Sequence, residues 1–64
     1  MARRTTTEEV NGWTVESDTA GKAVVWNAYK LDADGFVLAQ ATLKPGCHWA
    51  FDTKREALLF AKTN

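Results

Sequence analysis

The sequence predicts a single small α+β domain, a three-stranded antiparallel meander with one C-terminal helix packed on one face (βββα). Three observations lead there. The runs "AVVWNAYKL" and "FVLAQATL", rich in branched and aromatic residues, flank the turn "DADG". An alternating run, "GWTVES", precedes them. Near the C-terminus, "FDTKREALLFA" joins a helix-start signal to five consecutive apolar residues.

The elements follow in chain order. Residues 1–11, "MARRTTTEEVN", show no period and read as a flexible N-terminal tail, leaving 12–64 for the domain. Trp13 and Val15 alternate with Thr14 and Glu16 as a half-buried first strand. "DTAGK" is a turn, with Gly21 suited to a positive φ. The second and third strands follow, joined at Asp32–Gly35. "KPGCH" then breaks the sheet, because Pro45 cannot donate to a ladder. Thr53 is a good N-cap and Glu56 completes a capping box, so the helix spans about Lys54 to Lys62. So short a helix is marginal in water and needs a surface to lie on.

The Asp32–Gly35 turn decides which side chains meet. A type I turn with Gly35 as a left-handed bulge residue sets Leu31 opposite Val37, Tyr29 opposite Ala39, Asn27 opposite Ala41 and Val25 opposite Leu43. That register is preferred here, and this face then takes the helix. Asn27 is its one polar member and needs a hydrogen-bond partner if buried. A tight two-residue Asp34-Gly35 turn shifts the second strand by one, turning Val24, Trp26 and Ala28 inward with Lys30 at the margin. In both registers Val37, Ala39, Ala41 and Leu43 point in, and Phe36, Leu38, Gln40 and Thr42 point out. The helix offers Ala57, Leu58 and Ala61 as its inner stripe, with Trp13 and Trp49 covering the flanks.

Composition narrows the function classes. A chain of 64 residues buries only about 60% of its unfolded surface, so its stability is marginal and readily shared with a partner. Eight basic residues balance eight acidic ones, without the positive excess that gripping phosphate backbones requires. No secretory leader pattern and no stretch of about 20 apolar residues is present, which points to a cytoplasmic setting away from membranes. Cys47 is the single cysteine. Next to His48 it falls short of the three or four ligands of a zinc site, and adjacent residues seldom aim at each other as nucleophile and base do. "DADG" lacks the acids a calcium loop needs, since Lys30 and Ala41 occupy their places. Asp18, Asp32, Asp34 and Asp52 fall in turns or at the helix start. No catalytic group, metal, cofactor or small-molecule substrate is expected, and the chain reads as no enzyme.

The step "FDTKREA", with Phe51, Thr53, Lys54, Glu56 and Ala57, resembles the helix entry of the three-stranded-sheet-plus-helix arm-binding domains at the N-termini of phage-type integrases. The resemblance implies DNA contact through the outer sheet face, at positions matching Trp26, Lys30, Gln40 and Thr42. Where those domains present several Arg or Lys, this face offers Lys30, together with Glu16 and the apolar Phe36 and Leu38. The leading expectation is therefore a non-catalytic protein-interaction module, with a second copy or another protein as partner. Its contact surface is the outer sheet face, carrying Trp26, Lys30, Phe36, Leu38, Gln40 and Thr42. A small DNA-binding domain using the same face, helped by Arg3, Arg4 and Lys22, is the alternative.

Overall fold

An Asn-Gly pair starts the sheet one strand earlier than expected. In the computed structural model, which describes residues 7–64, Asn11 and Gly12 take φ of 53° and 83°. Two consecutive positive φ values make the tight hairpin turn that matches strand twist. It joins β1 (Thr7–Val10) to β2 (Trp13–Ala20), with Val10 opposite Trp13. Residues 7–10 of the expected tail are thus a strand, and residues 1–6, with Arg3 and Arg4, lie outside the described residues. Gly21, at φ 64°, opens a second two-residue turn, so β2 runs through Asp18 and Ala20 before β3 (Ala23–Leu31) returns. After β4 (Val37–Gln40), the chain ends in α1 (Lys54–Thr63). The four antiparallel strands lie in the order β1-β2-β3-β4, so the meander has four strands where three were expected.

The β3–β4 turn has the expected form. Gly35 sits at φ 87°, its N–H bonds to Asp32 O at 3.1 Å, and Asp32 N–H bonds to Phe36 O at 2.9 Å. The Asp32 carboxylate accepts from the N–H of Asp34 and of Phe36, both at 2.9 Å. Leu31 faces Val37, as the bulged turn requires. The next pair is Lys30 with Ala39, and Leu38 is the one residue without a counterpart. That β-bulge moves every later pair by one, to Tyr29 opposite Gln40 and an Ala41 N–H to Ala28 O bond of 2.9 Å. A one-residue shift reverses the faces of β3. The preferred register therefore fails beyond Leu31, although its turn is correct. The helix side carries Trp26, Ala28 and Lys30, beside Trp13, Val15 and Ser17 of β2.

The core confirms the assignment. Trp13, Val15, Ala28, Ala41, Ala57 and Ala61 are buried together, with Trp26, Phe51, Leu58 and Phe60 against them. Trp13 is a core residue rather than a flank cover. Its ring meets Phe60 edge-on at 5.0 Å, and the Lys30 ammonium lies 5.0 Å from its centroid. Ala57 and Ala61 are fully buried because their small side chains let α1 approach the sheet closely. Thr53 caps α1 by accepting from Glu56 N–H at 3.2 Å, and its hydroxyl meets the Glu56 carboxylate at 3.1 Å. Asn64 Nδ2 closes the other end on Phe60 O at 2.8 Å. The helix touches β1, β2 and β3 but not β4. Val37 and Ala39, both expected inside, are consequently exposed, and only Ala41 of that strand's inward set is buried.

A nine-residue excursion separates β4 from the helix. Ala41 bonds to Ala28, and the next main-chain pairing to β3 is Phe51 with Trp26, through N–H to O bonds of 2.9 and 3.0 Å. Residues 42–50 leave the sheet between those two pairings, with Ala50 N–H already reaching back to Trp26 O at 3.3 Å. Lys44 N–H to Trp49 O at 3.0 Å and Cys47 N–H to Lys44 O at 2.9 Å close the excursion on itself. Asn27, midway between Ala28 and Trp26, holds it from the sheet side. Its Oδ1 accepts Ala50 N–H at 2.9 Å and its Nδ2 donates to His48 O at 3.3 Å. The need for a partner at Asn27 is real, and the excursion supplies it.

Candidate functional site

The two edges of the sheet differ in kind. A sheet edge presents unpaired N–H and C=O groups to any passing strand, and charged side chains are a common defence. β1 is defended: Glu8 and Glu9 stand on it, and Glu8 pairs with Lys54 of α1 at 3.3 Å. β4 is not defended. From Phe36 to Leu43 no residue is charged. Tyr29 and Gln40 form a non-hydrogen-bonded pair, because Ala28 and Ala41 on one side carry the ladder bond. Gln40 therefore turns its main-chain N–H and C=O to the open edge.

Large apolar side chains crowd the same end. Leu31 is 44% exposed, Phe36 71%, Val37 58% and Leu38 67%. They come from the facing ends of β3 and β4 and the turn between them. Single exposed apolar residues are ordinary, whereas a group of them beside an open ladder is the kind of surface at which interfaces form. Elsewhere Val24, Leu43 and Leu59 are exposed apolar residues.

The six residues singled out from the sequence do not share one face. Phe36 and Leu38 are exposed at the hairpin, and Gln40 and Thr42 are exposed at and just beyond the end of β4. Trp26 and Lys30 lie on the helix side, where Lys54 reaches to 5.9 Å from the Trp26 ring and Lys30 covers Trp13. The bulge at Leu38 is the cause. Sequence reasoning missed Leu31 and Val37, which it had turned toward the helix. No local pattern marks a bulge, so nothing in the residues themselves gave them away.

The sheet face away from the helix carries Thr14 and Glu16 of β2 opposite Tyr29 and Asn27 of β3, and beyond them Val25, buried opposite Asp18. The Tyr29 phenol is pushed above its usual range by burial and then by the charge of Glu16, so it stays protonated. Cys47 and His48 point to different partners. The thiol lies 3.6 Å from Pro45 O, while His48 Nε2 is 3.0 Å from Thr19 O and 3.8 Å from Asp18 Oδ2. Among the described residues no three His, Cys, Asp or Glu side chains gather as a metal site. An open groove of about 470 Å³ runs along α1, lined by Lys54, Arg55, Leu58, Leu59 and Lys62. No helix among the described residues is long and apolar enough to cross a membrane.

Asp52 anchors the base of the excursion. Trp49 Nε1 donates to its carboxylate at 3.0 Å and Lys44 Nζ lies 3.3 Å away. The Trp49 hydrogen bond, then the Lys44 contact, hold the Asp52 pKa below its ordinary value. A lowered folded-state pKa contributes stability above the unfolded value and loses it as pH falls through the folded value. The part of the Trp49 indole N–H shift that depends on Asp52 is therefore expected to appear only below the ordinary aspartate range. In Asp52→Asn it should be unresponsive to pH over that span. A parent shift between neutral pH and the ordinary aspartate range that is absent from Asp52→Asn would contradict this anchoring.

Compared with protein-family models, curated proteins and solved structures, the chain matches none of them.

Proposed function

We propose that the domain is a non-catalytic interaction module that engages a protein chain along β4 and the β3–β4 hairpin. One observation carries this reading: Leu31, Phe36, Val37 and Leu38 are exposed together beside an uncharged, unpaired strand edge. An added strand would use main-chain bonds for affinity and the apolar side chains for selectivity. The contact surface proposed here is the sheet's edge and hairpin, in place of the broad outer face expected from the sequence. A cytoplasmic setting goes with it, as does the absence of any cofactor. No arrangement in the site favours the nucleic-acid alternative, whose four residues fall on different surfaces.

Site-specific photocrosslinking tests the proposal. A benzophenone side chain in place of Phe36 is expected to yield adducts in cells, and the same group in place of exposed Lys22 is expected to yield none. Absence of adducts at position 36 would overturn the reading.

A further inference from the structure

We propose that Asn11 is a site of spontaneous covalent modification, converting through a cyclic imide with Gly12 when the β1–β2 hairpin parts from α1 and held unconverted while the two stay together. Asn-Gly is the pair in which this chemistry is least hindered, because glycine has no Cβ to shield its amide nitrogen. Both residues are exposed, so water reaches them. Gly12 N gives up its proton to base in the solvent and bonds to Asn11 Cγ. The Cγ–Nδ2 bond then breaks and ammonia leaves. Water adds next to either ring carbonyl: opening at Cγ yields aspartate, and opening at the main-chain carbonyl yields isoaspartate. Nothing is oxidised or reduced.

The fold holds this reaction back at the departing atom. Asn11 Nδ2 donates to Ala61 O at 3.2 Å, across 50 residues of sequence. Ala61 O only accepts, so the nitrogen that must leave is the atom that faces it. Ala61 lies in the last turn of α1, whose carbonyls have no partner within the helix. Asn11 thus serves Ala61 O as Asn64 serves Phe60 O. Closing the ring also requires the Asn11 main chain to rotate out of the left-handed form that the turn needs. Ala61 is fully buried, so the tie parts only when α1 lifts from the sheet.

Neither product restores the tie. An ionised carboxylate at position 11 has no hydrogen to donate, and it sets an acceptor against Ala61 O at the negative end of the helix dipole. Isoaspartate also adds a carbon to the main chain inside a two-residue turn, which disturbs the pairing of Val10 with Trp13. Conversion therefore loosens β1, and with it the Glu8–Lys54 ion pair.

Peptide mapping by mass spectrometry tests the proposal on the full chain, aged at mildly alkaline pH with and without urea. In urea, position 11 is expected to convert ahead of Asn27, whose following Ala28 shields its nitrogen with a methyl group. Without urea, conversion at position 11 is expected to be slower by about tenfold or more. Equal rates in the two conditions, or Asn27 converting first in urea, would overturn the proposal. Two variants probe the tie apart from the rate. Asn11→Gly keeps a residue suited to positive φ and removes the amide, whereas Asn11→Asp installs the product. Asn11→Asp is expected to melt below both Asn11→Gly and the parent. A melting temperature equal to the parent's would overturn the part given to Ala61 O.

Discussion

Trp13→Ala is expected to leave the chain largely unfolded at room temperature. Trp13 is the largest side chain of the buried cluster, only 6% exposed, and it supports both Phe60 of α1 and Lys30 of β3. Truncating a buried Trp to Ala costs about 3–5 kcal/mol, because the lost transfer energy adds to an unfilled cavity. A domain of this size holds only about 3–10 kcal/mol in total, so the loss consumes a large share of it. Trp13→Phe should be far milder. The indole Nε1 is buried without a hydrogen-bond partner among the described residues, so the ring, not its N–H, provides the stabilisation. Thermal melts by circular dichroism decide the matter. A Trp13→Ala chain melting within a few degrees of the parent would show that the core is not centred on this residue.

Asn27→Leu is expected to release the excursion at residues 42–50. Leucine preserves much of the volume but removes the amide bonds to Ala50 N–H and His48 O, at 2.9 and 3.3 Å, and leaves Ala50 N–H only its longer 3.3 Å bond to Trp26 O. Losing the two bonds costs about 1–2 kcal/mol, because His48 O can turn to water and Ala50 N–H keeps Trp26 O. The cost should be concentrated at the excursion. Amide exchange at Ala50 should rise steeply while exchange at Val15 in β2 rises only with the global loss. Asn27→Asp keeps the Oδ1 acceptor for Ala50 and should protect it better than leucine does. Unchanged Ala50 protection in Asn27→Leu would mean the excursion is held by its own closure at Lys44 and Trp49.

Local signals are legible in the sequence, and the nonlocal ones are not. The capping box at Thr53 and Glu56, the small stripe at Ala57 and Ala61, and the Asp32–Gly35 turn are each written within a few residues, and each appears in the structure. β1 was also legible in principle. Asn11-Gly12 between Val10 and Trp13 is a strong hairpin signal, but the two glutamates of a Thr-rich stretch masked it. The faces of β3 were different. Both registers hide similar numbers of apolar side chains, so hydrophobic patterning has nothing to choose with. The choice is made by the bulge at Leu38, which depends on where β4 must meet Ala28 and where α1 must lie. The same reversal explains the candidate site. Phe36 and Leu38 were identified because they are exposed in either register, whereas Trp26 and Lys30 were assigned to the wrong side with the rest of their strand.

The edge proposal and the face assignment stand on one fact, the slip of register between Leu31 and Lys30. Hα–Hα contacts in a two-dimensional NOE spectrum report it directly, because only non-hydrogen-bonded antiparallel pairs bring two Hα atoms close. A strong Hα–Hα cross-peak between Tyr29 and Gln40 is the expected result. A strong Tyr29–Ala39 cross-peak in its place would restore the unslipped register, return Trp26 and Lys30 to the outer face, and contradict the account.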